Sequence, residues 1–251
     1  MLKGRWFSFY GVDLIVTATL KAKTSRTVDG WLGDNWIKLF LSLYGVWMIL
    51  PFFAPVFMQA GWTGPAKTLY AVYSFLCHQL PQRSLFLFGE KTMYSLAEIQ
   101  ATWRNTMDPL VLRGFIGDSS IGWKIAWSDR MISFYGGVWL FGLVWLPLRN
   151  RIRQVPWWGF LLLLLPMVVD GGSHFVSDLA GVGQGFRDTN LWLATLTNHA
   201  FPAWFYAGDA LGSFNSWMRW ISGLLAGMGL VWFAFPAIDT AFRAVALSRK
   251  L

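Results

Sequence analysis

Along the chain, apolar residues gather into four long runs separated by polar and charged stretches. The first, Leu39 to Met58, carries no charge, and Pro51 and Pro55 predict a kink in its second half. The second is Met131 to Leu148. The third begins at Val155, passes Trp157, Trp158 and the leucine run from Leu161 to Leu165, and reaches Asp170. The fourth, Trp217 to Ile238, contains Gly223, Gly227 and Gly229, small residues suited to close helix contact. A bilayer core of about 30 Å needs roughly 20 helical residues, and each run is near that length. Pro166 and Pro236 are tolerated in such helices when neighbours satisfy the freed backbone groups. The pattern predicts an all-α protein, a four-span transmembrane helix bundle with spans at about 39–58, 131–148, 155–172 and 217–238.

The rest of the chain divides around these spans. Residues 1–38 read as a cytoplasmic or interfacial segment, with a helix over 6–20 lying in the interface plane. Lys3 and Arg5 resemble the start of a signal peptide, but Asp13 breaks the apolar run and no small-residue cleavage site follows. Residues 59–130 and 173–216 form exterior loops, and 239–251 a cytoplasmic tail. Leu191 to Leu211 is apolar but interrupted by Asn198, His199, Pro202 and Asp209, so a re-entrant or interfacial segment is expected there.

Charge sets the expected orientation. Six Lys or Arg precede the first span (Lys3, Arg5, Lys21, Lys23, Arg26 and Lys38). Arg149, Arg151 and Arg153 join the second span to the third, and Arg243, Arg249 and Lys250 follow the fourth. With four spans these groups share one side, which the positive-inside rule makes cytoplasmic. The segment from Gly171 to Ser216 has one base, Arg187, against three acids. A bacterial inner-membrane protein with both termini inside is the expectation.

Composition agrees. Hydrophobic residues make up 55% and charged residues 14%, against about 25% charged in a soluble domain; mean hydropathy is +0.43. The net charge of +8 is explained by basic segments meeting anionic lipid, and no nucleic-acid motif accompanies it. A single cysteine excludes an internal disulfide. The tryptophans read mainly as interface belts, with a lipid, quinone or pigment groove as the alternative.

Candidate chemistry concentrates at one end of the bundle. The stretch Cys77-His78-Gln79-Leu80-Pro81-Gln82-Arg83-Ser84 holds the lone cysteine, one of three histidines and a guanidinium. Asp129, Arg130 and Arg219 lie at the same ends of their spans. Asp170 lies 17 residues beyond Arg153, or about 25 Å along a helix, with His174 and Asp178 following at i+4 and i+8. Cys77, His78, Arg83, Asp129, Arg130, Asp170, His174 and Arg219 are therefore expected to cluster at the outer face. Cys77, His78, Asp170 and His174 are the candidate metal ligands, although adjacent residues rarely share an ion. Helix-end packing is the plainer reading of Cys77 and His78. An Asp170–Arg pair closing the bundle is the plainer alternative to a proton relay. The glycine-rich stretch 181–188 suggests an anion nest or, lacking a preceding strand, a tight loop.

These residues also carry a resemblance. Cys77 to Ser84 is similar to the Cys-His-Gln-x-Pro-Glu-Arg-Ser signature of the membrane family called domain of unknown function 2085, with Gln82 in place of the glutamate. That family's further motifs are matched by Asp129-Arg130 with Tyr135 and Gly137, by Pro166 with Asp170-Gly171, and by Arg219, Ser222, Gly223 and Gly227. The resemblance runs from about Leu69 to Pro236 and implies a membrane protein without implying an activity. It places the family's second cysteine at Trp127, so any activity that used a cysteine pair is lost here. The stretch between Gly89 and Ile125 is longer than the resemblance leads one to expect and offers a contact surface.

No HExxH, GxSxG or paired-glutamate motif is present. Nor do four spans without internal repeats resemble a common transporter. The leading expectation is a non-catalytic accessory or assembly subunit of a larger membrane complex, contacting lipid and other membrane subunits. The alternative is a metal- or redox-dependent membrane enzyme with an exterior Cys/His/Asp site.

Overall fold

The computed structural model describes residues 31–33 and 35–248. The expected interfacial helix over 6–20, most of the N-terminal bases, and Arg249 and Lys250 lie outside the described residues. Among the described residues four helices are long and apolar enough to cross a membrane: Asn35–Gln59, Asp129–Leu148, Trp157–Asp178 and Phe214–Ala244. In chain order the elements are α1 (Asn35–Gln59), α2 (Thr63–Tyr73), β1 (Ser84–Leu87), α3 (Leu96–Thr102), α4 (Pro109–Leu112), β2 (Gly117–Asp118) and β3 (Gly122–Ser128). They continue with α5 (Asp129–Leu148), α6 (Trp157–Asp178), α7 (Phe186–Thr189), α8 (Leu191–Leu196), α9 (Ala203–Tyr206) and α10 (Phe214–Ser248). Residues 191–211 fold as two short helices and turns, without a fifth span.

Each spanning helix contains proline, and in α1 and α10 specific donors meet the carbonyls around it. Pro51 has no N–H to offer the Trp47 carbonyl, and a tight 3-10 turn follows at Leu50–Phe52. The Tyr73 hydroxyl donates to Trp47 O at 2.6 Å, and the Trp127 indole donates to Met48 O at 3.3 Å. In α10, Pro236 frees the Trp232 carbonyl, which accepts the Val155 N–H at 3.1 Å. The Gln154 amide donates to Phe233 O at 3.0 Å. Inside a bilayer no water could fill these roles.

The bundle is organised around α10. It packs most extensively on α5 and next on α6. A Cβ added at Gly227 would lie 2.8 Å from Phe134 O and 2.9 Å from Val138 N, so the α5 and α10 backbones meet there. Gly223 is closer still, with Ser133 Oγ 2.0 Å from where its Cβ would be. Leu163 of α6 meets Gly229, and Leu41 of α1 meets Gly142 of α5. α1 and α5 are therefore antiparallel, α5 and α10 parallel, and α6 antiparallel to α10. Outward, α6 exposes Leu161, Leu162, Leu165, Val168 and Val169, the apolar face expected of a helix solvated by lipid.

The all-α expectation omits one feature. Residues 84–128 contain a three-stranded antiparallel sheet, ordered β1-β3-β2. Its register pairs Ser84 with Ser128. Since β3 runs directly into α5, this pairing brings the end of the cysteine stretch beside Asp129, the first residue of α5. The sheet was illegible because its strands are four, two and seven residues long. β3 is buried on both faces, so it shows no alternation of polar and apolar residues.

Candidate functional site

The C-terminal ends of α1 and α6 and the N-terminal ends of α5 and α10 meet at one end of the bundle, beneath the sheet and the 179–213 loop. The segment after Cys77 is fixed there by its own backbone. Gln79 adopts a left-handed conformation (φ 53°), unfavourable for a side chain with a Cβ and tolerated only where surroundings impose it. Three contacts impose it. The Gln79 N–H reaches Cys77 Sγ at 3.4 Å, its amide donates to Tyr70 O at 2.9 Å, and its carbonyl accepts from Lys124 Nζ at 2.7 Å. On the facing strand Ser128 N–H reaches the same sulfur at 3.2 Å, and the thiol meets Ser128 Oγ at 3.4 Å. Cys77 is thus a buried staple between the loop and the start of α5. Pro81 then starts a single 3-10 turn, Ser84 caps it by donating to Leu80 O, and Arg83 is turned into the bundle end.

Trp127 is fully buried in the same cluster as Cys77. It lies edge-on to Tyr73 and Trp47. An indole fills the volume here, and the sulfur's partner is the neighbouring serine.

Four arginines and four aspartates form the centre of the site. Arg219 of α10 grips Asp129 through Nε at 2.7 Å and reaches Asp209 through Nη1 at 2.6 Å. Arg83 reaches the other Asp209 oxygen at 2.8 Å and holds Asp178 with two parallel bonds of 2.7 and 2.8 Å. Asp170 of α6 is shared between Arg130 and Arg187, each at 2.7 Å. Every carboxylate has a guanidinium, and every guanidinium a carboxylate. The hub is dry, with the Arg219 side chain 2% exposed and that of Asp129 0%.

Electrostatics outside the spans follow from this pairing. Burial alone would raise the Asp209 carboxyl, but Arg83 and Arg219 overturn it and hold the group well below the usual carboxylate range. Burial would likewise lower Arg83, yet Asp209 and Asp178 raise it above an ordinary guanidinium. His78 moves the other way. Surrounding protein and the positive field of Arg83, Arg130 and Arg219 lower it to about 3. The residue nonetheless keeps an exposed edge at the surface.

The expected cluster is assembled for Arg83, Asp129, Arg130, Asp170, His174 and Arg219. His78 and His174 border a common half-open cavity of about 350 Å³ with Arg83, Arg130 and Asp178. The four candidate metal ligands are not gathered as a set: Cys77 is bonded to Ser128, and Asp170 is held by two guanidiniums. Among the described residues no group of three or more His, Cys, Asp or Glu is placed to hold an ion.

Two hub residues, Asp209 and Arg187, went unassigned from sequence. The signals were there: Asp209 is an acid in an apolar segment, and Arg187 is the one base between Gly171 and Ser216. Asn190 and Asn215 fix their loop by donating to the Arg187 carbonyl at 2.7 and 2.6 Å. The glycine-rich stretch is a tight loop in which Gly185 touches Ser177, leaving no room for a Cβ.

Lys124, also unassigned, sits fully buried in β3 and donates to Gln79 O and Arg113 O, both at 2.7 Å. Burial lowers it to about 7, the nearby Cys77 opposing and Arg113 adding to the effect. An unfolded lysine keeps its proton to about pH 10.4, so between these values the unfolded chain binds more protons and stability rises with pH. The cost of the buried lysine is full below about pH 7 and gone above about 10.4. Unfolding of detergent-solubilised protein should show this rise, at up to about 1.4 kcal/mol per pH unit. Lys124→Met should remove that component. A wild-type slope identical to the variant's would refute the assignment.

No protein-family model and no solved structure matches the chain. Over 193 residues it is 26% identical to the uncharacterised protein MJ1492 of Methanocaldococcus jannaschii, covering 74% of this chain and 81% of that protein. Its four apolar helices make this chain a multi-pass membrane protein, similar over most of its length to that archaeal protein.

Proposed function

We propose that the protein is a non-catalytic accessory or assembly subunit of a larger membrane complex, and a member of the family called domain of unknown function 2085. The observation that carries the reading is the closed Arg/Asp network: all four carboxylates are taken up by guanidiniums, leaving none free as a base or ligand. Cys77 is equally occupied. Residues of this chemistry, bonded to one another at the meeting point of four helix ends, hold a shape.

The same reading places the protein in a bacterial inner membrane with the cysteine end facing out. Supporting this, Lys38, Arg149, Arg151, Arg153 and Arg243 lie at the opposite end of the bundle, where cytoplasmic bases belong. Asp239 is partnered there by Arg243 at 2.8 Å and by the Trp36 indole at 3.0 Å.

Native mass spectrometry of the protein, extracted from its own membranes in mild detergent, tests the proposal. The expected result is a stoichiometric complex with other membrane chains. A lone protein carrying one tightly held metal ion would overturn it in favour of the metal-dependent enzyme.

A further inference from the structure

The cavity at the cysteine end has an uneven inventory of hydrogen-bonding groups. His174 is 2% exposed, and its Nε2 lies 3.2 Å from Arg187 Nη2. A guanidinium only donates, so Nε2 accepts and the proton of the neutral ring resides on Nδ1. That Nδ1 is buried without a partner. In His78 the Nδ1 accepts the Leu80 N–H at 3.0 Å, which puts the neutral ring's proton on Nε2. Arg130 spends one nitrogen on Asp170, while its buried Nε has no partner. The one carboxylate in the wall, Asp178, is taken by Arg83. Donors are in surplus, and a free acceptor is lacking.

A buried donor left unpaired is unfavourable, and an incoming acceptor would relieve it. The network already balances four positive against four negative charges. An anion would add an uncompensated charge in a poorly solvated place, whereas a neutral carbonyl oxygen would not. The rest of the wall includes Leu80, Phe175 and Leu179. Phe175 and Leu179, on the last turn of α6 and just beyond it, are 67% and 73% exposed. Such an apolar rim, at the end of a membrane-spanning helix, opens toward lipid.

We propose that this cavity binds a lipid-soluble molecule through a hydrogen-bond-accepting carbonyl oxygen, of the kind borne by a quinone ring or by the acyl ester of a glycerolipid. His174 Nδ1–H and His78 Nε2–H are the donors, Arg130 supports them, and the apolar rim takes the hydrocarbon. The volume of about 350 Å³ lies at the small end of ligand pockets, which run to roughly 300–1,000 Å³. The inference stands independently of the accessory-subunit reading, since either kind of protein can hold such a ligand.

The test titrates the purified, delipidated protein separately with decylubiquinone, phosphatidylglycerol and inorganic phosphate, and reads bound adducts by native mass spectrometry. Decylubiquinone or the glycerolipid should bind the wild type. His78→Phe and His174→Phe should each weaken that binding about tenfold, the size of one good hydrogen bond. The arm that binds names the source of the carbonyl. Because His78 is on the surface, His78→Phe keeps the test decisive even where His174→Phe fails to fold. Binding of phosphate alone, adducts indifferent to both substitutions, or no adduct in any arm would overturn the proposal.

Discussion

Arg219→Ala should be the most damaging single change at the bundle end, lowering stability by about 3–5 kcal/mol. The arginine bridges Asp129 and Asp209, whose side chains are 0% and 5% exposed. Removing it strands the Asp129 carboxylate where water cannot reach it and leaves Asp209 with Arg83 alone. Building such a network gains little net energy, since desolvation offsets the attraction; breaking one partner out of it is expensive. Arg219→Lys should fall between, since an ammonium keeps the charge but not the fork that grips two carboxylates at once. Thermal unfolding in detergent, followed by tryptophan fluorescence, reads both variants. A melting temperature for Arg219→Ala equal to wild type would mean that the network does not close the bundle.

The second large effect is expected at the α5–α10 crossing. Gly227→Ala should cost about 1–3 kcal/mol, although alanine is the better helix former by roughly 0.8–1.0 kcal/mol. The new Cβ would stand 2.8 Å from Phe134 O, 2.9 Å from Val138 N and 3.0 Å from Gly137 C. All three are backbone atoms and cannot rotate aside, so the helices must separate. Separation would also weaken the Ser133 Oγ bond to Arg219 O, now 3.0 Å, and so loosen the hub one turn away. Gly172→Ala provides the control. It lies on α6 with nothing within 4 Å of its new Cβ, and should be neutral or slightly stabilising. Equal melting temperatures for Gly227→Ala and Gly172→Ala would refute the close-contact account.

Much of the bundle end was legible residue by residue. Counting from Arg153 puts Asp170 at this end with His174 one turn further; Asp129, Arg130 and Arg219 are expected there as span ends and Arg83 as part of the cysteine stretch, and the six come together. The count works because a helix advances a fixed distance per residue. Asp209 escaped it because it sits in irregular chain, and Arg187 because its four-residue helix is reached through the 179–185 loop, so neither position can be computed from spacing. Their partners are Arg83, 126 residues away from Asp209, and Asp170, 17 residues from Arg187. Lys124 was hidden for a further reason. A lysine in a short strand reads as solvated, and only the fold shows two carbonyls converging on its nitrogen.

By itself, then, the sequence determined the four spans, the antiparallel threading and the end at which the polar residues collect. A bilayer of fixed thickness and a helix of fixed rise leave hydrophobic runs of that length little choice. Only the tertiary structure decided which arginine takes which aspartate, that Cys77 bonds to a serine on a strand, and that two histidines border one cavity. Those outcomes depend on strand register and loop path. Both arise from contacts between residues far apart in the chain, and local pattern carries no record of them.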